Sequence, residues 1–362
     1  MVFPNDTPAA RPGGHPTRRN LLTAAGAAGA GALLAVGAAG RAEAVGIAPA
    51  GLAADRRSGG EITRVVGRTG ERLRAVGLGT FMTFDKRPGA QRGHLREVLK
   101  RYWEAGGRVV DTSPLYGGAE LSVGDFATDL GITDDLFLTN KSWSTGEYLS
   151  DESHMVRQLE TSKTRLWRDR MDVLQVHNLV NAEAAVPVLR RWKGEGRIRY
   201  VGVSHHATQY YPAVEVLMRN FDVDFVQIRY SIFTRHAEER ILPLAADRGI
   251  GVMVNMSMEK GRLHKLVEGH RVPGWARSFG ADTWAKFFLK YVLSHPAVTV
   301  VLQSTSNPDH LDENMTVLRG PLPDAETRAR MVRHMVGEIP GFADLESMAW
   351  YPGKTFDGYV KL

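Results

Sequence analysis

No cysteine occurs among the 362 residues, so disulfides and thiolate chemistry are excluded in any compartment. A chain of this length, 43% hydrophobic, must be held together by its core alone. Strong charge of one sign is missing too. The formal net charge is +6, and it falls to +4 once Arg11, Arg18, Arg19, Arg41, Asp6 and Glu43 near the start of the chain are set aside. A balance that mild and that scattered argues against nucleic acid as a partner. There is no GxGxxG after the first apolar run and no HExxH anywhere, which removes the usual marks of a Rossmann dinucleotide site and of a helical zinc site. The early apolar run from Leu21 to Val36 is mostly Ala and Gly. It falls short of the roughly 20 strongly apolar residues that a membrane span needs, so no stable membrane anchor is expected.

That run does have a meaning when its flanks are read with it. TRRNLLTAAG, residues 17 to 26, sets two adjacent arginines before the apolar stretch, and a small-residue exit follows at Ala42, Glu43 and Ala44. A charged start, a short apolar middle and an Ala-x-Ala exit describe a secretory signal, and the arginine pair is of the kind read by the Tat exporter. Residues 1–44 are therefore expected to be a Tat signal peptide cleaved near Ala44, with the Tat machinery as a partner and the mature protein exported. A leader that works poorly would leave a cytoplasmic pool. Residues 45–60 (VGIAPAGLAADRRSGG) read as a flexible linker.

From residue 61 the pattern becomes regular. ITRVVGRTGERLRAVGLGT reads as a short hairpin turning at Thr69-Gly70, ahead of a buried strand. Short apolar runs then recur at 75–79, 108–112, 136–140, 172–177, 200–204, 225–230, 251–255 and 298–304. Segments of helical period lie between them, such as Leu95, Val98, Leu99 and Tyr102, or Met155, Leu159, Ser162 and Leu166. Eight such units fit a closed parallel (β/α)8 barrel of the TIM type, preceded by a β-hairpin, better than an open doubly wound sheet, which the residues alone leave as the alternative. The barrel is expected over 61–320, with 321–362 a C-terminal extension that packs on it.

In such a barrel the chemistry belongs where strands end and loops begin, at the carboxyl face. DTSPLYG places Asp111 at a strand end and Tyr116 in the next loop; TNKSW places Lys141 on the same rim, and QVHN adds His177. A phenol, with an ordinary pKa near ~10, gives up its proton more readily beside an ammonium. Lys141 would supply that ammonium and Asp111 would hold it charged and aimed, while His177 would hydrogen-bond the oxygen receiving the proton. The set suits proton delivery to a carbonyl oxygen while something else delivers hydride to the carbon. Adjacent His205 and His206 with His177 raise a metal site, but no supporting carboxylate spacing accompanies them, and no metal is expected.

Together, VGLGT, DTSPLYG, LTNKSW, DVLQVHN, YVGVSHH, QIRYS and STSNPDHLDEN, in this order, give the chain a resemblance to the aldo-keto reductase family from about residue 62 to about residue 320. The resemblance implies a barrel that binds NADP(H), or NAD(H), in extended form, and reduces an aldehyde or ketone to an alcohol or runs the reverse. It implies Tyr116 as general acid, Lys141 and Asp111 tuning it, and His177 orienting the carbonyl. Ser204, His205 and Gln227 match positions that hold the nicotinamide carboxamide, and Met256 stands where an aromatic ring commonly stacks on the nicotinamide. Ser304, Thr305, Ser306, Asn307 and His310 match the segment around the adenosine 2'-phosphate, and Glu313 and Asn314 match positions near the adenine.

This chain departs from the family in having His205 where Asn is usual, Met256 in place of the aromatic, Gln303 and Ser304 where Pro followed by Gly or Lys is common, and His310 where Arg is frequent. A neutral His lacks the permanent forked charge of Arg. Phe81, Met82 and Trp143, with Trp275, are candidates for the substrate mouth, and Trp350, Tyr351 and Tyr359 of the extension either close over it or pack on the barrel. Tat export moves folded proteins, so the cofactor would be loaded before export. Retention for about a day would need a Kd of about 10⁻¹¹ M. A non-catalytic barrel that binds a small molecule or partner is the competing reading.

Overall fold

The computed structural model describes residues 60–143, 151–356 and 358–360. The expected signal peptide, its cleavage site and all of the linker but Gly60 lie outside the described residues.

Two short strands come first, β1 (Thr63–Val65) and β2 (Arg72–Arg74), paired antiparallel with Thr63 opposite Arg74. Their turn needs Gly70 at φ +71°, a left-handed conformation that costs glycine little. Leu73 and neighbouring Val66 are buried with Val109, Phe137, Val173, Phe225, Met253, Val300 and Leu302. The hairpin thus stoppers the amino end of the barrel and leaves the carboxyl end for chemistry.

The barrel strands are β3 (Val76–Gly79), β4 (Val109–Asp111), β5 (Phe137–Ser142), β6 (Met171–His177), β7 (Ile198–His205), β8 (Phe225–Arg229), β9 (Gly251–Asn255) and β10 (Val300–Gln303). All neighbours are parallel, and β10 closes on β3 with Val301 opposite Val76. These are the eight expected runs, in place. Both faces of a strand in such a barrel are covered, which is why the runs read as continuously apolar rather than alternating.

The outer ring holds α1 (Gly93–Glu104), α2 (Ala119–Asp129), α3 (Ser153–Leu166), α4 (Ala182–Gly194), α5 (Tyr211–Asn220) and α6 (Ile241–Arg248), then α7 (Arg262–Leu266), α8 (Trp284–Leu293) and α9 (Pro308–Met315). The inward faces follow the sequence period: Leu95, Val98, Leu99 and Tyr102 are the buried residues of α1, and Met155, Leu159, Ser162 and Leu166 those of α3. A last helix, α10 (Ala325–Glu338), buries Met331 and Met335. Its Arg328 donates to the Tyr230 hydroxyl at 2.6 Å, to Glu238 at 2.7 Å and to Ser294 at 2.8 Å, fixing the extension to the barrel wall. Trp275, a candidate for the mouth, instead packs in the wall, 6.0 Å from the rings of both Phe287 on α8 and His334 on α10.

Candidate active site

Asp111 ends β4 and points into the barrel. Thr139 and Lys141 are two apart on β5, so the pleat sends both side chains to the same interior face. Both reach Asp111: Lys141 Nζ lies 2.7 and 2.8 Å from its two carboxylate oxygens, and the Thr139 hydroxyl donates to Oδ1. Gln227 Nε2 on β8 adds a third donor at 2.8 Å, and the remaining reach of Lys141 goes to the Thr112 carbonyl at 2.9 Å. Asn140, between Thr139 and Lys141, faces the other way and donates to Glu120 on α2 at 2.9 Å.

The DTSPLYG loop turns tightly. Tyr116 N donates to Ser113 O at 3.0 Å, and Gly117 sits at φ +59°, where a Cβ would lie 2.1 Å from Asp85 Oδ1. Gly118 N donates to that same oxygen at 2.7 Å. The turn lays the Tyr116 ring 4.9 Å from Phe81 and 5.8 Å from His177, edge on, with Lys141 Nζ 5.1 Å from its centre. The four expected residues therefore meet on one rim. Ser113, inside the same motif, was not singled out from the sequence, yet its hydroxyl lies 3.2 Å from His177 Nδ1 and accepts from Leu115 N. The Ser113 hydroxyl and His177 Nδ1 thus pair with each other, and His177 Nε2 is left for another partner.

Protonation follows from burial. His177 is pushed down to about 3, first by burial and then by the Lys141 charge, so its imidazole is neutral. Burial also lowers Lys141 while Asp111 pushes back. Tyr116 is raised well above its ordinary value by burial, then by Asp111 and Tyr351. The Asp111 carboxylate acts on the phenol in the same upward direction as burial. At neutral pH Tyr116 is therefore protonated, as a proton donor must be.

On the adjoining strands, Ser204 of β7 stands level with His177 on one side and Gln227 on the other. His205 stacks 4.1 Å from Tyr210, and its Nδ1 accepts from Ala207 N at 3.1 Å, so Nε2 is its donor. Met256 follows β9 at φ +56°. Beyond β10, Ser304, Ser306, Asn307 and His310 are exposed and Thr305 is buried. Thr305 accepts from Asn307 N at 3.1 Å, and Asn307 caps α9 by accepting from Asp309 N at 2.9 Å. Asn314 donates to Gln303 Oε1 at 3.0 Å, and Gln303 Nε2 is buried without a hydrogen-bond partner among the described residues. Glu313 accepts from Thr283, the N-cap of α8. Phe81 and Met82, the latter at φ +62°, follow β3, and Trp143 follows β5 with its backbone N–H on Gln158 at 2.8 Å. Among the described residues, His177, His205 and His206 do not assemble with carboxylates into a metal-binding group.

The sequence profile of the aldo/keto reductase family matches residues 75–330. The chain is 27% identical over 218 residues to the aldo-keto reductase YhdN of Bacillus subtilis, covering 57% of this chain and spanning 65% of that protein. It is 25% identical over 274 residues to the NADH-specific methylglyoxal reductase of Escherichia coli, 63% of this chain and 82% of the other. Among solved structures, the aldo-keto reductase of Klebsiella pneumoniae in complex with NADPH superposes with a TM-score of 0.60 at 25% identity, over 74% of this chain and 93% of that one. A closed eight-stranded barrel, its carboxyl rim and a profile that runs through all eight of its strands agree: the chain belongs to the aldo/keto reductase family.

Proposed function

We propose that this protein is a nicotinamide-dependent carbonyl reductase in which Tyr116 is the general acid. The observation that carries the reading is the arrangement beneath Tyr116: a buried Lys141–Asp111 pair, with a neutral His177 whose Nε2 is left free for a ligand. The residues fit a nicotinamide carboxamide, because Ser204 brings a hydroxyl, His205 an Nε2–H, and Gln227, whose amide nitrogen is engaged by Asp111, an open carbonyl. The segment 304–310 offers hydroxyls and the start of α9 to a phosphate, but neither Lys nor Arg. NADPH in the Klebsiella structure and the NADH specificity of the Escherichia coli relative support a nicotinamide dinucleotide of either kind.

Bound in reduced form, that group supplies hydride to the carbonyl carbon. His177 Nε2–H holds the carbonyl oxygen as charge develops on it, and Tyr116 passes its phenolic proton to the same oxygen. Lys141 and Asp111 fix the floor under Tyr116, and the buried Lys141–Asp111–Gln227 chain keeps water from that floor. Recovery of the Tyr116 proton from solvent completes the cycle.

The test is NADPH consumption with a small aldehyde, wild type against Tyr116→Phe. The expected outcome is turnover by the wild type and a loss of about 10²–10⁴ in the variant with unchanged NADPH affinity. A variant that keeps activity within tenfold removes Tyr116 from the role, and a wild type that neither turns over aldehydes nor binds NADPH favours the non-catalytic barrel. The twin-arginine leader adds a proposal about place: the mature protein works outside the cytoplasm with its cofactor loaded beforehand. Fractionation of cells expressing the native leader, followed by nucleotide assay of the denatured exported protein, tests both parts.

A further inference from the structure

Below the rim, the barrel interior carries a polar layer that the proton transfer to the carbonyl does not itself use. Thr139 on β5 stands level with Asp111 on β4. Lys141, further along β5, stands level with Gln175 on β6, which is in turn level with Gly202 on β7. Thr139 and Gln175 are fully buried. A barrel of this type ordinarily fills such layers with bulky apolar side chains, so a hydroxyl and an amide at these places need a physical reason.

The directions of the hydrogen bonds supply one. Lys141, Thr139 and Gln227 all donate to Asp111 Oδ1. A carboxylate facing an ammonium only accepts, so the Thr139 proton lies toward that oxygen and the hydroxyl keeps acceptor capacity alone. The group that reaches it from β6 is Gln175 Nε2, at a long 3.4 Å. Gln175 has room to lie there because of the bare backbone of Gly202, where a Cβ would fall 2.7 Å from Gln175 Cγ. The donors on Oδ1 are not equivalent. Lys141 also lies against the Tyr116 ring and Gln227 also borders the place proposed for the carboxamide, whereas the Thr139 side chain bonds Asp111 and Gln175 alone among the described residues. Thr139 is the donor that keeps its partner when ligands come and go.

Gln175 also carries a penalty. Its Oε1 is buried and has no hydrogen-bond partner among the described residues. A buried carbonyl left unpaired is unfavourable, and an unbranched apolar side chain of similar length would fill the same space without it. The amide therefore lowers stability at a position where its side-chain bond is the one to Thr139.

We infer that Thr139 and Gln175 are positioning residues for the proton transfer. Gln175 orients the Thr139 hydroxyl, Thr139 holds the Asp111 carboxylate at a fixed angle, and Asp111 thereby sets where the Lys141 ammonium stands under Tyr116. The inference rests on the carbonyl-reductase reading above and extends that site into the barrel.

The experiment measures kcat and KM for NADPH-dependent reduction of propanal, with NADPH affinity and melting temperature alongside, in Thr139→Val, Thr139→Ser, Gln175→Met and the double variant Thr139→Val with Gln175→Met. Thr139→Val keeps the shape and removes the donor; it should lower kcat about tenfold and leave KM and NADPH affinity within about twofold. Thr139→Ser keeps the hydroxyl and should hold kcat within about twofold of wild type. Gln175→Met should lower kcat about threefold while its melting temperature stays level or rises, since the unpaired carbonyl is gone. Because Gln175 acts through Thr139, the double variant should be no slower than Thr139→Val, whereas independent effects would multiply to about thirtyfold. A kcat unchanged in Thr139→Val or Gln175→Met overturns the inference, as does a Thr139→Ser variant as slow as Thr139→Val. A double variant slower than Thr139→Val by the full Gln175→Met factor overturns it too, and so does a Gln175→Met loss that comes with a lower melting temperature, which would make the amide structural. A wild type that does not reduce propanal removes the carbonyl-reductase reading itself, and this inference with it.

Discussion

Replacing Asp111 by Asn isolates the electrostatics under Tyr116, because it removes one charge and almost no volume. The Lys141 side chain is 1% exposed and its ammonium lies 2.7 Å from Asp111. Burial pulls the lysine down and Asp111 is what pushes back. With Asn at 111 the lowest-energy response is for Lys141 to release its proton on folding. From an ordinary lysine value near ~10.4, that release at pH 7 spans about 3.4 units at about 1.36 kcal/mol each, an upper limit of ~4.6 kcal/mol. The Asn and Thr112 carbonyls still accept hydrogen bonds, so the expected loss of stability at pH 7 is about 3–4 kcal/mol. The unfolded variant binds a proton that the folded variant does not, so its stability rises with pH, and by pH 9 the deficit should have shrunk to about 2 kcal/mol or less. Urea unfolding at both pH values, wild type alongside, measures the difference. Adding Lys141→Met should restore most of the loss, since no charge is then left buried alone. A D111N deficit below about 1 kcal/mol at pH 7, or one that persists undiminished at pH 9, would refute the reasoning.

Because His177 is held down at about 3, its imidazole stays neutral from pH 5 to 8. His177→Gln should lower kcat/KM about 10²-fold without changing the shape of the pH profile, whereas an acid limb near pH 6 that vanishes in the variant would contradict this. Gly117→Ala places a methyl 2.1 Å from Asp85 Oδ1 at a φ of +59°. It should cost about 2–4 kcal/mol in thermal unfolding and displace Tyr116, and a variant with wild-type melting and activity would show that the turn can relax. With neither Lys nor Arg in 304–310, the kcat/KM preference for NADPH over NADH should be within about tenfold, and a preference of a thousandfold would mean that a cation from elsewhere reaches the phosphate.

What the sequence made legible was local. The runs of β9 and β10 are mainly apolar because both faces are covered, and the helix faces of α1 and α3 repeat at the period that burial demands. The rim residues were legible because strand ends carry polar side chains that a core would not tolerate. Contacts between distant positions were not. Arg229 and Glu346 are 117 positions apart, and nothing in either neighbourhood marks them as partners. Tyr351 sits in SMAWYPGKTFDG, which has neither a helical nor a strand period, so pattern could not choose between closing over the mouth and packing on the barrel. Ser113 could have been found: it lies in DTSPLYG, and a hydroxyl next to a strand end is a natural partner for a histidine on the neighbouring rim. Whether Trp275 lines the mouth or packs in the wall was open in the sequence, because an aromatic in a long loop reads the same either way.

Asp85 binds two distant parts of the chain, the Gly118 turn and Val360, the second of them 275 positions away. During synthesis at about 5–20 residues per second, roughly 15–55 s separate the emergence of the carboxylate from that of its final donor. β3 waits almost as long for β10, so through most of translation the growing barrel is an open, apolar sheet edge in need of shelter. A chaperone that guards that edge, and releases it only when the last strand arrives, would then decide the yield of folded protein.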